Sequence, residues 1–297
     1  RPVVMGVLNV TPDSFSDGGR FLHPAEGAER AGQIAEEGAD VIDVGAESTR
    51  PGAERVRPEE QIERLRAVLP AAAATGCVVS VDTTSSAVAA YAIDAGAAMV
   101  NDVSAGTDDA VLLPFVARRG CPVVLMHMLG QPRTMQKDPR YHEVVGEVRD
   151  YLAVRMQAAE AAGVSRERII LDPGIGFGKR LEHNLSLLAG LGELAALGRP
   201  LLIGVSRKRF IGELTGEPRP ERRLAGSLAA CLEARRRGAT IFRVHDVAET
   251  AAALRVAAAI ADAGQAGTGG EGADGGGRAP MKSTMSPSDP ADGRASK

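Results

Sequence analysis

Tryptophan is absent from this chain of 297 residues, and Phe and Tyr contribute only six and three side chains. With 44% hydrophobic residues the core must be filled by Val, Ile, Leu and Ala, which suits the stacked layers inside a parallel barrel. Cysteine is also scarce. Cys77, Cys121 and Cys231 are odd in number, dispersed and without a CxxC pair, which excludes a disulfide framework or thiolate metal site and reads as reduced thiols in a cytoplasmic protein. No apolar run approaches a membrane span, and the first residues lack a secretory pattern. The chain opens at Arg1 on the edge of its first strand, so a short leader is expected to be missing. Neither charge dominates: 35 Lys and Arg face 38 Asp and Glu, a net of −3 with no basic stripe. That excludes the electrostatic footprint of a nucleic-acid or membrane-surface binder and points to a small-molecule partner. No Ser-His-Asp or Cys-His arrangement suggests a covalent nucleophile.

What is present is a rhythm. Eight apolar, β-branched runs end abruptly in polar residues: Val3–Leu8, Val41–Val44, Val78–Val81, Met99–Val100, Val123–Met126, Ile169–Leu171, Leu201–Val205 and Thr240–Phe242. The residues that end them are Asn9, Glu47–Arg50, Asp82, Asn101–Asp102, His127, Asp172, Ser206–Lys208 and Arg243–His245. Eight buried strands alternating with helical segments predict a single-domain (β/α)8 TIM barrel over residues 1–262, an α/β fold whose active site lies at the C-terminal ends of its strands.

The helical segments carry their own marks. Pro58-Glu59-Glu60 opens a helix with Ile62, Leu65 and Leu69 at core spacing, and Val144, Val148, Leu152 and Met156 keep a four-residue step. Asp246 with Glu249 resembles a capping box for the last helix. Gly38, Gly76, Gly96, Gly120, Gly163 and Gly238 recur near helix ends, where a left-handed residue is wanted. The longest loops, Thr11–His23 and Glu47–Arg57, follow strands one and two and are expected to be mobile lids or ligand clamps. From Ala263 to Lys297 there are nine glycines and no Leu, Ile, Val or aromatic residue, so a disordered Gly/Ala/Ser-rich tail is expected.

At the strand ends, Asp82, Asp172 and Asn101 would face the mouth as acceptors or amides able to read the donor-rich edge of a planar nitrogen heterocycle. Arg207, Lys208, Arg243 and His245 would form a cationic arc where barrels often hold phosphate. A flat heterocycle bearing a phosphate or pyrophosphate would satisfy both halves. Single residues also have plainer readings. A lone strand-end Asp is commonly a helix cap, and His127 and His245 could be structural histidines. Gly174–Lys179 looks like a phosphate cradle but lacks the Walker spacing, so a tight turn shaping the pocket is favoured. Arg235–Arg237 reads as a solvated helix end.

The segment Met5-Gly6-Val7-Leu8-Asn9-Val10-Thr11-Pro12-Asp13-Ser14-Phe15-Ser16-Asp17-Gly18-Gly19 closely resembles the opening signature of the dihydropteroate synthases. Ala39–Gly52, containing Asp43-Val44-Gly45-Ala46-Glu47-Ser48-Thr49-Arg50-Pro51-Gly52, is similar to that family's second signature. Matches continue in order at Ser80–Thr83, Val100–Asp102, Leu125–Met128, Asp172–Gly174, Ser206–Lys208 and Arg243–Asp246. The resemblance implies an enzyme that joins 6-hydroxymethyl-7,8-dihydropterin pyrophosphate to para-aminobenzoate in folate biosynthesis, and a sulfonamide target. It further implies that Asp82, Asn101, Asp172 and Lys208 hold the pterin, with Arg243 stacked on the ring. Asn9 would ligate Mg²⁺, Arg243 and His245 would meet the pyrophosphate, and Thr49, Arg50, Pro51 and Ser206 would surround the para-aminobenzoate. A homodimer through the later helices is implied as well. Two positions depart from the pattern: Ala46 replaces a common glycine, and Arg209 replaces a common serine, adding a cation near the expected arylamine carboxylate. A pterin-binding paralogue without turnover and a pterin-dependent methyltransferase barrel are the competing readings; the presence of each motif residue the chemistry needs, both long loops included, speaks against the first, and the Ser-Thr-Arg-Pro and Ser-Arg-Lys blocks favour the synthase over the second.

Overall fold

The computed structural model describes residues 1–11, 24–48 and 52–268. All eight apolar runs are strands: β1 (Val3–Asn9), β2 (Val41–Gly45), β3 (Val78–Asp82), β4 (Met99–Asp102), β5 (Val123–Met126), β6 (Ile169–Asp172), β7 (Leu201–Ile203) and β8 (Ala239–Val244). They pair in parallel in sequence order, and β1 closes the barrel against β8. Most strands run further than their apolar cores and take in the polar residues at their ends. β2 and β5 stop short of theirs, and β7 ends early at Ile203 with an irregular register at Leu201/Leu202 against β8.

Side chains alternate between the two faces of each strand, so the inward set can be followed in steps of two. The lowest inward layer is a plug of Met5, Val41, Met99, Val124, Ile170, Leu202 and Ile241. Each of these contributes about 1.5–3 kcal/mol when fully buried. The larger apolar cluster, including Leu8, Ile42, Val44, Val81 and Leu125, lies on the opposite strand faces with the surrounding helices. One step above the plug the inward layer turns polar. Asp43 pairs in register with Val7 and Ser80, while Asn101, Asp172 and Arg243 follow Met99, Ile170 and Ile241 at the same two-residue step. A third layer, Asn9, Gly45 and Asp82, forms the rim. The plug's burial offsets part of the desolvation cost of the polar layer stacked on it.

The helices follow the sequence marks with two differences. Val144, Val148, Leu152 and Met156 form the buried stripe of helix Val144–Ala161, and the six expected helix-end glycines all have positive φ, from +62° to +108°. The helix opened by Pro58 ends at Arg66 and a second runs Leu69–Ala74, because Pro70 has no N–H to continue the ladder. At the last helix the Asp246 carboxylate is taken by Arg207, and Thr250 bonds the Asp246 carbonyl instead. The capping box expected from Asp246 and Glu249 therefore gives way to an ion pair.

The unit carrying the barrel is Arg1–Ala259. In the unit that begins at Ile260, the described residues continue helix Val247–Thr268, past the compositional boundary at 262. Residues 269–297, most of the first long loop and Thr49, Arg50 and Pro51 lie outside the described residues. No helix among the described residues is long and apolar enough to cross a membrane.

Candidate active site

The polar layer converges on Arg243. Its Nε donates to Asp43 Oδ2 at 2.6 Å and its Nη2 to Asp82 Oδ2 at 2.9 Å, while Asn101 Nδ2 donates to the same Asp43 oxygen at 3.0 Å. Residues distant in sequence, from β2, β3, β4 and β8, thus share one buried network. Asp43 is fully buried and Asp82 and Asn101 nearly so. Burial pushes the Asp82 carboxyl above the ordinary carboxylate range, and nearby Asp43 adds to the push, while Arg243 pulls it back.

Asp172 and Lys208 form a second cluster. Asp172 Oδ1 accepts from Gly174 N at 2.7 Å, and its carboxyl is raised by burial against the pull of Lys208. Lys208 donates to the Ile175 carbonyl and lies 4.5 Å from the centre of the Phe177 ring. Desolvation lowers its ammonium to about 8, although Asp172 favours the charged form.

The loop between these residues is a tight turn, as its glycines suggest. Gly174, Gly176 and Gly178 all have positive φ, and a Cβ on Gly174 would sit 1.9 Å from the His127 carbonyl oxygen. The loop closes over Lys179, the last residue of that run. Its buried ammonium reaches His127 Nδ1 at 2.9 Å and the carbonyls of Gly174 and Phe177 at 2.9 and 3.0 Å. His127 lies edge-on to Tyr151, and burial followed by the Lys179 charge lowers it to about 3, so it stays neutral. The structural reading of His127 holds.

Ser206 and His245 meet at the β7–β8 side of the mouth, where Ser206 Oγ accepts from His245 N at 3.2 Å and lies 3.1 Å from its Nδ1. Between Ser206 and Lys208, Arg207 adopts φ +59°. Its N–H bonds Ser227 Oγ at 2.9 Å, its carbonyl accepts from Arg223 at 3.0 Å, and its Nε donates to Asp246 at 3.0 Å. These three anchors hold an otherwise unfavourable left-handed conformation between Ser206 and Lys208.

The expected cationic arc is therefore corrected: Arg207 is committed to Asp246 and Arg243 to two carboxylates, while Lys208 and His245 lie on the same side of the mouth. Arg209 pairs with Glu213 at 2.6 Å and is largely exposed, so the substitution turns outward along its own helix. Ala46 is buried and its carbonyl is held by Arg64 at 2.8 Å. Glu47 accepts from Val56 N at 2.8 Å and Gln61 Nε2 at 3.3 Å, tying down the return of the second loop. Asp102, one residue beyond Asn101 and so on the opposite face, caps its own loop through Ser104 and Gly106. Thr49, Arg50 and Pro51 cannot be placed against this geometry, since they lie outside the described residues.

Asp43 is the site residue that the sequence reading missed. Its signal was available: an acid inside an otherwise apolar strand, two residues from the inward Val41. Beside Asp82, a cavity of about 280 Å³ opens between Glu47, Arg55, Thr84, Val103 and Met128. At the rim, Asn9 Oδ1 and Asp82 Oδ2 lie 3.4 and 3.7 Å from the point a Gly45 Cβ would occupy.

Residues 5–245 match the family model described as pterin binding enzyme. A dihydropteroate synthase of Neisseria meningitidis serogroup B is 48% identical over 261 residues, covering 86% of this chain and 92% of that protein. The chain belongs to the dihydropteroate synthases. The synthase of Xanthomonas albilineans, solved with 4-aminobenzoic acid, superposes with a TM-score of 0.83 at 49% identity, covering 88% of this chain and 93% of that one. The same synthase solved with 7,8-dihydropteroate gives 0.79 at 46% identity, covering 88% and 94%. In dihydropteroate synthase terms, the second signature thus contributes Asp43 to the barrel interior as well as the loop after β2.

Proposed function

We propose that this dihydropteroate synthase seats the pterin ring of 6-hydroxymethyl-7,8-dihydropterin pyrophosphate on the buried layer of Asp82, Asn101, Asp172 and Arg243. Para-aminobenzoate then approaches from the side of Lys208 and Ser206. The observation that carries this reading is the Asp43–Arg243–Asp82–Asn101 network, a desolvated set of acceptors built around one fixed cation at the mouth of the barrel. Such a site fits a neutral ring with N–H donors that becomes positive during reaction.

In the step itself, the bond between the exocyclic methylene and the pyrophosphate oxygen breaks, and the electron pair leaves with pyrophosphate. The developing ring cation is stabilised by the Asp82 carboxylate. The arylamine lone pair forms the new C–N bond, and the amine proton then passes to water or to the departing pyrophosphate. Because that nucleophile is already neutral at pH 7, no strong base is needed. Lys208, hydrogen-bonded to the Ile175 carbonyl and within the electrostatic influence of Asp172, orients the ring and faces the incoming arylamine.

Asn9 suits Mg²⁺ carried by the pyrophosphate: it offers one hard oxygen at the rim, and phosphate oxygens and water would complete the shell. Thr49, Arg50, Pro51 and Ser206 are proposed to contact the arylamine, and His245 the pyrophosphate.

Pyrophosphate release with dihydropterin pyrophosphate and Mg²⁺ tests the reading. Release that requires para-aminobenzoate is expected; tight pterin binding without release would instead favour a non-catalytic paralogue. Activity is expected to fall above about pH 8 as Lys208, whose ammonium is lowered by burial, loses its proton. In a pH series of kcat/KM, a basic limb that stays put in Lys208→Arg would detach Lys208 from this dependence.

The enzyme is further proposed to act in the cytoplasm, where its three free thiols stay reduced, and to work as a homodimer. An apolar groove of about 340 Å³ between helices Leu181–Ala189, Arg209–Thr215 and Leu224–Arg236 supports the dimer, with Leu185 and Leu214 exposed along it. Leu214→Glu is expected to sediment as a monomer; an unchanged sedimentation coefficient would exclude this face.

A further inference from the structure

An asparagine side chain has one donating end and one accepting end, and what it reads depends on which faces the ligand. At Asn101 that choice is made from below. A carboxylate only accepts, so the 3.0 Å contact with Asp43 Oδ2 requires the Asn101 nitrogen to face the barrel interior and its carbonyl to face away. The same Asp43 oxygen takes Arg243 Nε at 2.6 Å, which leaves Nη2 of that guanidinium on Asp82. Asp43 itself is completely buried, between the apolar plug and the rim.

We propose that Asp43 is a positioning residue that sets the ring specificity of the site. By holding the Asn101 nitrogen inward, it makes the amide carbonyl an acceptor alongside the Asp82 and Asp172 carboxylates. The site then selects a heterocycle whose edge carries N–H donors and rejects one with an acceptor at the same place. The inference rests on the pterin reading above and adds to it the residue that decides the polarity of recognition. The same contacts make a distinction between variants. Asparagine at position 43 keeps an acceptor for both Asn101 and Arg243, whereas alanine keeps none and frees the Asn101 amide to rotate.

The test is equilibrium binding of 6-hydroxymethylpterin and of its analogue with oxygen in place of the 2-amino group. The wild-type enzyme is expected to prefer the amino compound by about 100-fold or more, since the analogue sets acceptor against acceptor in a buried site. Asp43→Ala is expected to reduce that preference to within about 10-fold, and Asp43→Asn to retain most of it. A wild-type enzyme that does not bind the pterin would refute the pterin reading itself. Preference unchanged in Asp43→Ala, or lost equally in Asp43→Asn, would overturn the role of Asp43 alone. If Asp43→Ala does not fold, the side-chain amide of Asn101 in the wild-type protein decides by NMR. Slow hydrogen exchange is expected from the carboxylate partner, and exchange as fast as that of an exposed amide overturns the proposal.

Discussion

Asp82→Asn is expected to lower kcat about 100- to 1000-fold, the usual cost of removing one preorganised electrostatic contact to a charged transition state. The substitution keeps the size of the side chain and an oxygen for Arg243, and that guanidinium still has Asp43 at 2.6 Å. No buried charge is left unpaired, so the fold should survive with its melting temperature little changed. What disappears is the negative charge proposed to face the reacting ring, in a site dry enough for that charge to be felt. Asp102→Asn supplies the contrast. Asp102 lies on the opposite face of β4 and caps Ser104 and Gly106, so its loss should appear mainly as lower stability. Wild-type turnover in well-folded Asp82→Asn would remove Asp82 from the mechanism.

Gly174→Ala is expected to destabilise the protein by about 3–5 kcal/mol, combining a left-handed backbone penalty with overpacking. The backbone there has φ +67°, and the new Cβ would lie 1.9 Å from the His127 carbonyl oxygen. That oxygen belongs to the main chain at the end of β5, so no side-chain rotation relieves the clash. For a domain of this size the loss corresponds to a fall of roughly 10 °C in melting temperature. Arylamine-dependent turnover should also fall, because the loop carries Ile175 and Phe177, against which Lys208 is held. Gly198→Ala separates the two contributions. Gly198 has φ +73° but nothing within 4 Å of its added Cβ, so only the backbone penalty of about 1–2 kcal/mol is expected. Equal melting temperatures for the two variants would show that the contact with His127 is not tight.

The strands were legible because burial on both faces leaves a continuous apolar run, and eight such runs have few arrangements open to them. The polar residues at their ends were legible for the same reason, as interruptions of a pattern. Asp82, Asn101, Asp172 and Arg243 all lie where that pattern puts them. Asp43 escaped because its run continues beyond it. Only a count in twos from Val41, combined with a known direction for the barrel interior, turns an acid in mid-strand into a member of the site.

The cationic arc failed for a different reason. A sequence shows that Arg207 and Arg243 carry charge, but it does not show that Asp246 lies within reach of one and Asp43 and Asp82 within reach of the other. Alternating apolar runs, their polar ends and the ordered signatures determined the barrel, the face that works and the family. Tertiary structure decided which charges pair with one another and which way Asn101 points. Local sequence controls what each side chain can donate or accept, whereas the partner that claims it arrives from a strand as far as 200 residues away, as Asp43 does for Arg243.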